Sequence, residues 1–306
     1  MIFKEKYFMV YSRIDLNQYV DIPVWYGCSN DCIICMLSGL KRKLPVVGFE
    51  LFQKVIQNII RDGRYRNLIL SGAEITTFDL LEEYLQYAGS FGWFEKIQLQ
   101  TNGKKLSEND YLERLIHSGV NEFFISVHGL ETVHDAITRT DGSFKKTLQG
   151  IRNLEKFDVN VIINTVLTRI NFDSLTAVMS FLCNESVSEL HIWNYCPMET
   201  RDSKDLLVDL NAFVRILPEI TSRIKLSGKA LVLKHFPLCL PIDEPGFLDN
   251  RVPMLLMHAL FWQKFGENRF GACIYKDACR AVNCAGLSEA YMKKYGDERN
   301  LLTPLP

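Results

Sequence analysis

No apolar run in this sequence approaches the ~20 residues that a helix needs to cross a bilayer. Residues 1–27 hold no apolar core followed by a small-residue cleavage site, so no export signal is expected. Neither charge is in excess: 35 Lys and Arg balance 36 Asp and Glu, for a net charge of −1. That balance argues against a polyanion-binding surface and against nucleic acid as a partner. The one basic run, KRK at 41–43, is short and reads as a solvated face. There is no low-complexity stretch and no repeat beyond a strand–helix unit. A cytoplasmic protein with no membrane partner is the expectation.

The 306 residues are 47% hydrophobic and 23% charged. This is enough for one large α/β domain, or a domain with an appendage. Nine cysteines stand at 28, 32, 35, 183, 196, 239, 273, 279 and 284. An odd count without an export signal makes a disulfide framework the weaker reading and metal or redox chemistry the stronger one.

Apolar runs with strand character occur at 18–27, 67–72, 96–103, 121–129, 160–168 and 189–196. Helical spacing is expected over 48–62, 76–91, 108–117, 143–157, 172–182 and 208–225, the last bent at Pro218. Gly63 is a helix stop, and Ser107 and Ser143 are expected caps. Six strand–helix units with near-continuously apolar strands predict a parallel sheet buried on both faces. An open partial barrel and a flat doubly wound sheet remain equal on this pattern. After residue 228 the rhythm stops, though KALVLKHFPLCL allows one more strand. The division expected is 1–228 and a small irregular cysteine-rich part, 229–306.

Cys28 follows the first strand, and ligand sites of parallel α/β sheets lie at the carboxyl ends of strands. Three thiolates on one short loop can hold three corners of a cubane cluster, whereas closed zinc and fully protein-ligated [4Fe–4S] sites take four. Three ligands therefore leave one iron open.

The C-x3-C-x2-C motif at this place resembles the hallmark of the radical S-adenosylmethionine (radical SAM) enzymes. LSGAE (70–74) stands where that family has Gly-Gly-Glu after the second strand. QTNG (100–103), SVHG (126–129), VHDAITRTDGSF (133–144) and INTVLTRIN (163–171) resemble the segments at the ends of its third, fourth and fifth strands. The resemblance covers at least residues 20–200. It implies a partial (β/α)6 parallel barrel. It also implies that Cys28, Cys32 and Cys35 bind a [4Fe–4S] cluster whose open iron takes the amino and carboxylate groups of SAM. Ser71, Gly72, Ala73 and Glu74 would line the methionine end. Ser126 and His128 would contact the ribose or sulfonium side, with Asn164 a further cofactor candidate. Ile34 stands where the family usually carries an aromatic residue near the adenine. Ala73 replaces the second glycine of Gly-Gly-Glu. The implied chemistry is reductive cleavage of SAM to a 5′-deoxyadenosyl radical, with electrons from a low-potential flavodoxin or ferredoxin.

Cys239, Cys273, Cys279 and Cys284 resemble the SPASM or twitch extensions of that family, which hold auxiliary [4Fe–4S] clusters, although the spacings differ from the usual pattern. Structural zinc on the same four thiols is the alternative. Cys196 ends the sixth strand and is a candidate catalytic thiol, a hydrogen-atom donor or a substrate link. Free cysteine is also a common buried apolar side chain, and that is the reading favoured for Cys196 and Cys183. His191 reads as structural. His134, Asp135, Arg139 and Asp141 read as either ligand-binding or a solvated loop. The compact tail resembles those of peptide maturases, including the His-Xaa-Ser type, so the expected substrate is a ribosomally made peptide. A small metabolite is the alternative, since no leader-binding winged helix precedes the barrel. A non-catalytic iron–sulfur or zinc protein is the alternative of another class.

Overall fold

The computed structural model describes residues 14–271 and 273–306. Residues 1–13, the start of the expected first part, and Ala272, within the second cysteine group, lie outside the described residues. Eight parallel strands form one sheet: β1 (Tyr19–Trp25), β2 (Asn67–Gly72), β3 (Lys96–Thr101), β4 (Glu122–Ser126), β5 (Asn160–Leu167), β6 (Glu189–Asn194), β7 (Ala230–Lys234) and β8 (Met254–Leu255). The first six are the expected ones. β7 lies within the stretch that allowed one more strand. The two-residue β8 pairs with the other edge of β1 and had no signal in the sequence.

The spatial order is 7-6-5-4-3-2-1-8, so the order of β1 to β7 never reverses. Parallel crossovers are right-handed, and a sheet wound in one direction carries all its crossover helices on one face. That separates the two architectures left open above: the sheet is a curled partial barrel with helices outside. The helices are α1 (Phe49–Asp62), α2 (Leu81–Gly89), α3 (Asn109–His117), α4 (Glu131–Thr138), α5 (Ser143–Leu154), α6 (Leu175–Leu182), α7 (Leu210–Leu226), α8 (Ala259–Gly266) and α9 (Glu289–Tyr295).

Some local expectations hold and others fail for identifiable reasons. Gly63 ends α1 in the left-handed conformation, φ 76°, with its N–H on Ile59 O. α7 runs through Pro218 and starts on the Asp209 side chain, which accepts from Asn211 N. Ser107 does not cap α3; its hydroxyl donates to Lys104 O. Ser143 does not cap α5; its hydroxyl meets His134 Nε2. The amides at the start of α5 donate instead to Asp135, from Gly142 N just before the helix at 2.7 Å and from Phe144 N at 2.8 Å. His134 and Asp135 thus belong to α4, a helix where the sequence predicts a loop, and they serve its packing on α5.

Strand residues alternate between the two faces. Val20, Ile22, Val24, Leu68, Leu70, Leu99, Phe123, Ile125, Ile163, Leu190, Ile192 and Leu233 pack outward with Phe52, Ile56, Leu81, Leu112 and Leu175 of the helices. The inner face is buried as well, but there polar side chains stand among apolar ones such as Ile69, Phe124 and Ile162, a departure from strands expected to be near-continuously apolar. Glu122 accepts from Tyr19 Oη at 2.9 Å, Gln98 Nε2 at 2.7 Å and Asn160 Nδ2 at 2.7 Å. Glu189 meets Ile14 N and His191 Nε2, each at 3.0 Å, and His191 is the structural residue expected. Ser71 donates to the Asp21 carboxyl.

Burial pushes the Asp21 carboxyl up to about 7, against the lowering effect of the Ser71 hydrogen bond. Its proton is held more tightly in the folded chain than at the ordinary value of 3.8. Stability at this position is therefore lost as pH rises from about 4 to about 7. Asp21→Asn keeps the shape and the acceptor without the ionisation. We expect its unfolding temperature to fall less than the parent's between pH 5 and pH 8, a difference worth about 2 kcal/mol. Melting curves across that range check this, and parallel pH dependence in the two proteins would refute it.

Candidate functional site

β1 delivers the chain to the barrel mouth at Trp25, and the three-cysteine loop follows. Its backbone is tied to the end of α4, with Asp31 N donating to Thr138 O at 3.2 Å and Ile33 N to Ile137 O at 2.9 Å. Asn30 N lies 3.3 Å from Cys28 Sγ. The β2 exit continues the pairing with this segment, through Ala73 N to Trp25 O at 2.8 Å and Glu74 N to Gly27 O at 3.0 Å. Gly72 makes that approach possible. Its φ is +143°, and a Cβ there would lie 1.8 Å from Trp25 O.

Glu74 is buried and its carboxylate is fully engaged. It accepts from Thr76 N at 3.1 Å, Thr76 Oγ1 at 2.6 Å, Thr101 Oγ1 at 2.6 Å and Asn102 N at 2.6 Å. These bonds clasp the exit of β2 to the exit of β3. Thr101 and Asn102 then form cavity wall while Glu74 stands behind it.

The cavity holds about 230 Å³ and opens among the carboxyl ends of the strands. Of the residues singled out from sequence, Cys28, Cys32, Ile34, Cys35, Gly72, Ala73, Ser126, His128 and Asn164 line it. Ser71, Glu74 and Cys196 do not. Cys196 is buried, with Asn268 Nδ2 3.4 Å from its sulfur, and burial pushes its thiol up to about 12. That position suits packing. Cys183, at the end of α6, packs half-buried against the core.

Sequence reasoning missed several lining residues: Asn30, Lys41, Gln100, Phe124, Val166 and Trp193 among them. Asn30 lies inside the cysteine motif, which was the available signal. Lys41 is a correction: read as part of a solvated run, it reaches the cavity, while Arg42 and Lys43 are exposed.

All described cysteines are free thiols. Burial pushes Cys28 above the usual thiol range and Cys32 up to about 12, with further repulsion from Cys35 and Cys28 at Cys32. Deprotonating this loop therefore calls for cationic charge beside it. His128 Nδ1 accepts from Val166 N at 3.3 Å, and burial pushes the ring down to about 3. The ring is therefore neutral, with its proton on Nε2, a donor. His134 Nδ1 in turn accepts from His128 N at 3.1 Å. The Asn164 Oδ1 and both amide atoms of Asn30 are buried without a partner. Orphaned polar atoms of this kind in a cavity wall fit a polar ligand.

Cys239, Cys273, Cys279 and Cys284 share one neighbourhood near the chain's end. Burial, then repulsion from the other three sulfurs, pushes the Cys239 thiol up to about 11. Leu238 N lies 3.3 Å from Cys284 Sγ. Among the described residues no three His, Cys, Asp or Glu side chains are drawn together as a ready cage for a single metal ion. A four-iron cluster is a larger body with the sulfurs on its outer corners.

The family model of the Radical SAM superfamily matches residues 22–182. The AdoMet-dependent heme synthase of Methanosarcina barkeri is 27% identical over 216 residues, 69% of this chain and 60% of the relative. The sporulation killing factor maturation protein SkfB of Bacillus subtilis is 24% identical over 158 residues, 52% of this chain and 38% of that one. Among solved structures, Streptococcus suis SuiB bound to its precursor peptide SuiA superposes with a TM-score of 0.59 at 15% identity, covering 71% of this chain and 48% of SuiB. The same protein has been solved with S-adenosylmethionine, at a TM-score of 0.56. The chain thus spans 60% or less of these relatives' lengths, and the structural likeness speaks for the fold. The family model, however, spans more than half of the chain and contains the cysteine loop and the ends of β2 to β5, and on that ground the chain belongs to the Radical SAM superfamily.

Proposed function

We propose that the chain binds a [4Fe–4S] cluster through Cys28, Cys32 and Cys35, binds SAM beside it, and modifies a ribosomally made peptide. The observation that carries this is the loop of three half-buried thiols opening onto a strand-end cavity with unpartnered amides. The donor set fits the group: three thiols leave one iron open, and Asn30 and Asn164 offer polar contacts to a ligand at that iron. When bound, the cluster and SAM together supply a 5′-deoxyadenosyl radical that takes hydrogen from a substrate C–H bond.

The chain's own residues orient and enclose. The backbone of Gly72 and Ala73 forms the wall for the methionine end, held there by Ser71 on Asp21 and by the Glu74 clasp. His128 presents its Nε2–H beside Ser126 and Asn164 for the ribose side. Ile34, Phe124, Val166 and Trp193 give the cavity an apolar wall. Such a wall keeps water from a reactive intermediate.

The peptide reading draws on SkfB, named for maturation, and on SuiB, solved with a precursor peptide. The small-metabolite reading draws on the heme synthase relative. We assign Cys239, Cys273, Cys279 and Cys284 to an auxiliary [4Fe–4S] cluster within a second part, 229–306, and the barrel to 1–228. β7 and β8, from the second part, nonetheless complete the sheet. Electrons come from a flavodoxin or ferredoxin. Free thiols and a reducing cluster suit the cytoplasm; among the described residues no helix is long and apolar enough to cross a membrane.

Anaerobic reconstitution with iron and sulfide, followed by iron analysis and assay of 5′-deoxyadenosine, tests the reading. We expect about eight irons per chain, falling by about four in a Cys28→Ala, Cys32→Ala, Cys35→Ala variant that makes no 5′-deoxyadenosine. Only zinc in the parent would sink it. Cys279→Ala with Cys284→Ala should also remove about four irons while the first cluster's spectrum persists. Loss of one zinc instead would make the tail structural. 5′-Deoxyadenosine formation stimulated by a short peptide encoded beside the gene, and not by small metabolites, would support the peptide.

A further inference from the structure

Three lysines from separate places meet the cysteine loop at its backbone. Lys104, just beyond β3, donates from Nζ to Ser29 O at 3.0 Å. Lys41, at the far side of the loop, donates to Asn30 O at 3.4 Å. Lys204, in the connection after β6, donates to Ile33 O at 2.7 Å. All three carbonyls lie between Cys28 and Cys35. The fields of Lys41 and Lys104 both reach Cys28 and Cys32.

Two carboxylates lie close to them, fewer than the three ammonium groups. Asp31, on the loop, is matched by Arg139 at 3.8 Å. The Glu74 carboxylate, held by its four donors, opposes the lysines: its field reaches Cys28 and Lys104. No ion pair of the described residues includes Lys41, Lys104 or Lys204. Three ammonium groups therefore surround the loop with no carboxylate partner. Two of them, Lys41 and Lys104, are half-buried, which weakens screening by salt.

We propose that Lys41, Lys104 and Lys204 form a charged clamp that holds the loop and raises the reduction potential of the cluster on Cys28, Cys32 and Cys35. The inference rests on the assignment of a cluster to those cysteines. Reduction adds one electron from a flavodoxin- or ferredoxin-class donor and makes or breaks no bond. A cluster with three thiolate ligands gains one negative charge in that step. Fixed positive charges attract the reduced form more than the oxidised form, so they favour reduction. The ammonium groups also cap carbonyl oxygens that would otherwise present bare negative ends near the cluster. None of the three needs to touch substrate; they are positioning residues.

A potential separates this from simple packing. The full chain is reconstituted and the cluster titrated with reductant under EPR, the signal missing from the triple cysteine variant identifying it. Lys41→Gln, Lys104→Gln and Lys204→Gln are made singly, each beside its Lys→Arg counterpart. We expect the Gln variants to keep their iron and to shift the reduction equilibrium about tenfold toward the oxidised form, about 59 mV for a one-electron couple. The Arg variants should stay at the parent value. Gln variants with full iron and the parent potential would overturn the proposal. So would equal loss of iron from Gln and Arg variants, which marks a packing role. A parent that loads no cluster signal dependent on Cys28, Cys32 and Cys35 would instead overturn the assignment beneath it.

Discussion

The handedness of parallel crossovers governs this molecule. Because β1 to β7 are laid down side by side without reversal, every crossover helix falls on the same face. The other face has nothing to pack against except itself, so the sheet curls. Every strand also delivers its carboxyl end to the same rim. A three-cysteine loop after β1, a glycine turn after β2 and polar tips after β4 and β5 are then neighbours, although more than a hundred residues separate the first from the last.

Curling gives the inner face a different problem from the outer one. The outer face is covered by helices and is satisfied by aliphatic packing. The inner face mixes polar side chains with apolar ones, and each buried charge there must find donors or remain protonated. Glu122 has three donors from three other strands, and Glu189 has His191 and the Ile14 amide. Asp21 accepts from the Ser71 hydroxyl, and burial lets it keep its proton to a higher pH than an ordinary carboxyl. At the rim, Glu74 shows the same logic turned to positioning. A carboxylate with four charge-assisted hydrogen bonds fixes two strand exits relative to each other. The wall it supports is what faces the cavity, which is how Glu74 acts on the cavity from behind it.

Much of the site was legible in the sequence because its parts are local. Cys28, Cys32 and Cys35 fall within one loop, and any chain that brings one to the rim brings all three. SVHG stands at the end of β4, where the period-two pattern stops, and Asn164 lies within β5, a strand the apolar run marks out. α4 was not legible, because eight residues between a strand and a stronger helix give little periodicity. Ser107 and Ser143 had the right residue type for caps, but other acceptors and donors were closer once the chain folded. Asp135 could cap α5 only after α4 had turned it back on Gly142 and Phe144.

Local residue order by itself determined the strand–helix rhythm, the cysteine loop and the family to which they belong, since each depends on side chains a few positions apart. Only the tertiary structure decided between a curled and a flat sheet, because strand order is a relation between distant segments. It also decided that Lys41, Lys104 and Lys204 converge on one loop. Their spacing of 63 and 100 residues carries no pattern. They meet because three separate rim segments, after β1, β3 and β6, are brought around the same mouth, where loop carbonyls await a donor.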